Sequence, residues 1–157
     1  MNNIFKASKL AKHRDKLFIL LMFSFSLFSQ QVLAENMKKI GSMNIHYMAI
    51  GATFLTPEIA KTYGIERSRY NGLINISVLD NTQKNTPAKT VSISGTARND
   101  VGQIKTLSFD EVKEADAIYY LAQLRYSDEE TFYFNLTITD GKESHQLIFK
   151  QKFYVDE

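Results

Sequence analysis

The chain is 157 residues long, a one-domain length, with no cysteine and a formal net charge of +2. Without cysteine it has no thiolate nucleophile, thiolate metal site, redox pair or lipid-modified cysteine. The charge is unevenly placed: Lys6, Lys9, Lys12, Arg14 and Lys16 against Asp15 put +4 near the start and leave −2 for the remainder, which excludes the dense basic stripe that nucleic-acid binding needs.

The first element is a basic stretch followed by an apolar run over residues 17–28 and a polar segment ending in Val32-Leu33-Ala34. This is the order of a secretory signal peptide, with cleavage expected after about Ala34. The run is short for a spanning helix, which needs roughly 20 apolar residues, so no stable membrane anchor is expected after processing. Residues 1–34 are thus assigned to the leader and residues 35–157 to one domain, long enough to bury a core unaided by disulfides.

Period-two patterning dominates from there on. Met43, Ile45, Tyr47 and Ala49 share one face of a first strand. A short helix follows between Thr56 and Gly64, with Thr56 as N-cap, Pro57 at the first position, Glu58 at the positive end of the dipole and Gly64 as a left-handed stop. Ile74, Ile76 and Val78 alternate with Asn75 and Ser77, and Val91 and Ile93 with Ser92 and Ser94; residues 81–87 and 98–102 are polar loops.

Residues 111–126 fit two patterns. Ser108 and Glu111 could cap a helix on which Val112, Ala115, Tyr119, Ala122 and Tyr126 follow helical spacing, whereas Ile118, Tyr120, Ala122, Leu124 and Tyr126 share a strand face. The β-rich flanks favour the strand from Ala117, with Ser127-Asp128-Glu129-Glu130 as a hairpin link into the next strand. That strand carries Phe132, Phe134, Leu136 and Ile138 on one face. Asp140-Gly141 signals a tight hairpin, and Leu147, Phe149, Phe153 and Val155 line the last strand. About seven strands and one small helix predict an all-β fold, an antiparallel immunoglobulin-like β-sandwich.

Several strings along this domain are familiar together: Asn44-Ile45-His46-Tyr47, Phe54-Leu55-Thr56-Pro57-Glu58-Ile59-Ala60, Tyr63-Gly64-Ile65-Glu66-Arg67-Ser68 and Asn75-Ile76-Ser77-Val78-Leu79, with Ala117-Ile118-Tyr119-Tyr120 and Glu129-Glu130 later. In these the chain resembles the exported Gram-negative bacterial family known as domain of unknown function 4426. The resemblance implies a periplasmic β-sandwich and carries no agreed activity, so no catalytic residue transfers with it.

Candidate chemistry is sparse. His46 could serve as a general base, but its neighbour Tyr47 would point to the opposite face of a strand. Beyond the leader, His46 and His145 are the only imidazoles, far apart in the chain, and neither a metal site nor a cofactor is predicted. Asp110, Glu111, Glu114 and Asp116, and later Asp128, Glu129 and Glu130, lack the spacing of a calcium loop and read as solvated strand ends. The sequons at Asn75 and Asn135 fall inside predicted strands. Past the leader there is no phosphate loop, Gly-x-Ser-x-Gly elbow, His-Glu-x-x-His or Ser-x-x-Lys motif, which weighs against an enzyme.

The recognition candidates are Tyr63, Arg67, Ser68 and Arg69, beside Tyr70, because arginine forks and tyrosine rings anchor interfaces; the competing reading has Tyr63 plugging the sandwich end and Arg67 in a structural pair. The leading expectation is an exported binding or accessory module contacting a periplasmic protein or small ligand through residues 56–70, or through a free strand edge. The rival is a hydrolase or small-ligand binder with a site assembled from His46, Arg67 and Tyr63. A pilus-type subunit is disfavoured, because the domain has its own last strand.

Overall fold

A computed structural model describes residues 36–141 and 143–156, so the leader and its cleavage point lie outside the described residues. Nine strands form two antiparallel sheets: β1 (Asn36–Ile40), β2 (Met43–Gly51), β3 (Asn71–Asp80), β4 (Ser92–Asn99), β5 (Ile104–Leu107), β6 (Asp110–Glu114), β7 (Ala117–Arg125), β8 (Thr131–Thr139) and β9 (Ser144–Lys152). One sheet has the order β1-β2-β3-β7-β6 and the other β5-β4-β8-β9. Without β1 and β5, this is the seven-strand immunoglobulin-like arrangement of a four-stranded sheet facing a three-stranded one, so the two additional strands each widen one sheet at an edge.

Alternation decides which side chains fill the space between the sheets. The inward face of β2 supplies Met43, Ile45 and Ala49, β3 supplies Ile74, Ile76 and Val78, β7 supplies Tyr120, Ala122 and Leu124, and β8 supplies Phe132, Phe134, Leu136 and Ile138. From β9, Leu147 is buried and Phe149 stacks on Phe134 with ring centroids 4.5 Å apart. Gly95 on the inner face of β4 permits a close approach of β8: a Cβ there would lie 2.4 Å from the Asn135 carbonyl oxygen.

The strand favoured from Ala117 is β7, and it follows β6 through a hairpin whose turn places Ala115 at φ +47°. Two sequence expectations are corrected. The segment after β7 is not a hairpin: β7 and β8 lie in different sheets, so the short polar link carries the chain across the sandwich. Glu130 organises that crossing by accepting from the Ser127 N–H and the Asn99 side chain, each at 2.7 Å. Arg98 and Asn99 belong to β4, not to the loop, and the buried Asn99 side chain accepts from the Gln103 N–H to close the following turn.

The helix α1 (Pro57–Thr62) forms as its caps dictate. The Thr56 hydroxyl accepts from the Ile59 N–H. At the other end Gly64, at φ +64°, donates to the Lys61 carbonyl while Ile65 donates to that of Ala60, the paired bonds of a Schellman stop. Ala60 and Ile65 bury against Ala52 and Leu73, with Ile50, Leu55, Tyr63 and Leu121 alongside. Leu73 and Leu121 face away from the main core, so α1 covers part of the outer surface of the five-stranded sheet with a second small apolar cluster.

Candidate functional site

The segment from Ala52 to Tyr70 is held to that outer surface by polar as well as apolar contacts. Asn71, only 3% exposed, donates to the Glu66 carbonyl at 2.8 Å and to Gln123 Oε1 at 2.9 Å. Gln123 Oε1 also accepts from the Glu66 N–H at 2.8 Å, and its amide nitrogen donates to the Gly64 carbonyl at 3.2 Å. Arg125 reaches both carboxylate oxygens of Glu66 at 2.9 Å from one nitrogen. Gln123 and Asn71 were invisible as site residues in the sequence, where a lone amide in a strand carries no signal.

The candidate residues divide by what their polar tips do. Arg67 turns back on its own segment, Nε donating to the Leu55 carbonyl at 2.9 Å and Nη2 to that of Thr53 at 3.2 Å, so its fork clamps the entry to α1. Ser68 Oγ accepts from the Tyr70 N–H at 3.3 Å. Arg69 lies over the Tyr70 ring, 5.2 Å from its centroid, and donates to the phenol oxygen at 3.1 Å. Tyr63 donates to the Glu114 carboxylate, and this hydrogen bond, followed by burial, raises its pKa. A phenol so held stays protonated and is a donor, not a base.

His46 lies apart from this segment in chain position, half-buried on the outer face of β2 opposite Ser77 of β3. A pocket of about 270 Å³ opens where the chain crosses from β5 to β6, lined by Tyr63, Ile65, Thr106, Ser108, Asp110, Leu121 and Gln123. Its lining includes Tyr63 but neither His46 nor Arg67, so it does not gather the three residues that the rival hydrolase reading requires. What remains outward is a surface of apolar and aromatic groups on a fixed backbone. Phe54 is 75% exposed and Tyr70 45%, with Ile59 exposed on α1 between them in the chain.

The fold and this surface define an all-β, immunoglobulin-like sandwich domain with one helix-capped outer face. The family model described as "Domain of unknown function (DUF4426)" matches residues 37–156, and the chain belongs to that family. The crystal structure of a DUF4426 family protein from Pseudomonas aeruginosa PAO1 is similar at 28% identity and a TM-score of 0.69, over 80% of this chain and 99% of that one. A copper-bound variant of FetP from uropathogenic Escherichia coli strain F11 is similar at 12% identity and a TM-score of 0.54, over 76% of this chain and 95% of that one. FetP as isolated after expression in the periplasm of E. coli gives 10% identity and the same TM-score of 0.54, over 79% of this chain and 96% of that one. The two FetP likenesses show the fold alone. No curated protein matches the chain.

Proposed function

We propose that this protein is an exported, periplasmic binding or accessory module whose contact surface is the segment from Phe54 to Tyr70. The observation that carries the reading is a backbone pinned by Asn71, Gln123 and Arg67 beneath an outward-facing Phe54 and Tyr70. A surface ordered before binding loses less entropy on association, and exposed aromatic rings beside arginine are the groups that anchor interfaces. The leader motif supports export. No helix among the described residues is long and apolar enough to cross a membrane.

The test is affinity capture from periplasmic extract with the wild-type protein and with Phe54→Ser and Tyr70→Ser variants of unchanged circular dichroism. These positions are better probes than Tyr63 and Arg67, whose side chains shape the segment itself. A partner held by the wild type and lost by both variants supports the reading. Capture indifferent to both substitutions removes this surface as the contact. The pocket beside Tyr63 favours a second reading, a small polar ligand bound by Thr106, Ser108 and Asp110. Thermal-shift screening of sugars, amino acids and amines against wild type and Asp110→Asn separates it from the first, since only a pocket ligand would lose its effect in that variant.

A further inference from the structure

The β1–β2 part of the five-stranded sheet carries, on its outer face, a set of donors that the docking surface does not use. The register places Met37 of β1 directly opposite His46 of β2, and Met48, two residues further along β2, faces the same way. Met37 and Met48 are 49% and 40% exposed, although methionine is among the residues most often buried. The only other methionine beyond the leader is Met43, fully buried in the core. Directly opposed residues on a sheet face have Cβ atoms about 5 Å apart and diagonal neighbours about 7–8 Å. Two long, flexible thioethers and an imidazole at that spacing can converge on one point.

The surroundings select among metals. Among the described residues, β1 and β2 contain no carboxylate, and the one on β3, Asp80, is at the strand's end, accepting from Thr82 and Gln83. Hard, oxygen-seeking cations therefore find no carboxylate on these strands beyond Asp80, and neither thiolate nor a further carboxylate is present for zinc. Thioether sulfur with imidazole suits monovalent copper. A second observation lies on β3: Asn75, directly opposite Met48, has a buried Oδ1 with no hydrogen-bond partner among the described residues. A metal-ligating histidine donates its other ring N–H to an oxygen close by, and Asn75 offers one on the adjacent strand.

We propose that Met37, His46 and Met48 form a binding site for copper(I), with the Asn75 carboxamide as the outer acceptor for the imidazole N–H. The site is distinct from the Phe54–Tyr70 surface and stands or falls separately from it. The experiment is an anaerobic titration of the purified protein with copper(I) against a chromophoric chelator, repeated with Met37→Leu/Met48→Leu and with His46→Asn. Methionine-to-leucine exchange conserves volume, so the fold should persist, checked by circular dichroism. One equivalent bound by the wild type, with affinity lowered at least tenfold in each variant, is the expected result. In parallel, silver(I), a diamagnetic substitute, should shift the εCH3 resonances of Met37 and Met48 in the wild-type NMR spectrum and leave that of Met43 in place. Undiminished affinity in the methionine variant, silver shifts that bypass Met37 and Met48, or zinc(II) displacing copper(I) at equal concentration would each overturn the assignment.

Discussion

Replacing Gln123 by alanine tests whether the segment from Ala52 to Tyr70 is held by polar contacts or only by its apolar cluster. The side chain makes three hydrogen bonds: from the Glu66 N–H at 2.8 Å, from Asn71 Nδ2 at 2.9 Å, and to the Gly64 carbonyl at 3.2 Å. The two bonds to the exposed backbone contribute about 0.5 kcal/mol each and the part-buried bond to Asn71 about 1 kcal/mol, so their loss costs about 2 kcal/mol. Asn71 keeps its bond to the Glu66 carbonyl, which stops the defect from spreading into β3. Since 1.4 kcal/mol is tenfold, opening of the segment becomes about 30-fold more frequent. Hydrogen exchange at the Ile65 amide reads this directly, because its own bond to the Ala60 carbonyl is untouched by the substitution. The urea midpoint should fall correspondingly. An unchanged midpoint together with unchanged Ile65 exchange would refute the reasoning and leave the packing of Leu55, Tyr63 and Ile65 against Leu73 and Leu121 as the restraint.

Three further predictions concern the sandwich itself. Tyr120→Phe removes a phenol oxygen that accepts from the Val91 N–H at 2.8 Å and donates to Glu111 at 2.9 Å, stranding a buried N–H; urea denaturation should show a loss of about 1–3 kcal/mol. Gly95→Ala drives a Cβ to within 2.4 Å of the Asn135 carbonyl and 2.8 Å of Leu136 Cα, so the β4–β8 ladder must part, with an expected loss of about 3 kcal/mol by thermal denaturation. Hydrogen bonds from the Thr82 and Gln83 side chains and the Thr82 N–H hold Asp80 at a pKa of about 2, down from 3.8. A carboxylate whose pKa is lower in the folded state stabilises the fold fully above pH 3.8 and loses that effect as pH falls towards 2. The thermal midpoint of Asp80→Asn should therefore be less pH-dependent than the wild type across that window.

What could be read from the sequence was whatever is local. Phe132, Phe134, Leu136 and Ile138 announce a strand with one dry face, and Thr56, Pro57 and Gly64 announce a helix with both ends specified, because capping and alternation act over a few residues. Of the edge strands, β9 was legible but β1, β5 and β6 were not. Asp110–Glu114 reads Asp-Glu-Val-Lys-Glu, charged on both faces as an exposed edge requires, and so shows no alternation. Nor could the link after β7 reveal that it changes sheets, since a short polar segment looks the same in a hairpin and a crossing. The same division holds at the surface. Arg67 and Tyr63 were legible as interface-type residues, but their engagement with the Thr53 and Leu55 carbonyls and with Glu114 depends on tertiary neighbours. The juxtaposition of Met37 with His46 likewise exists only in the register of β1 on β2.

The two ladders that complete the sheets, β3 with β7 and β4 with β8, join strands far apart in the chain, whereas β1–β2–β3, β6–β7 and β8–β9 are local meanders. Closing those long loops costs entropy before any core contact repays it. The local meanders can therefore assemble quickly and wait, and the commitment to the native topology falls on the meeting of Ile74 with Ala122 and of Gly95 with Leu136. Until those ladders close, the strand edges stand open to other proteins, so the topology of the sandwich sets the length of that exposure.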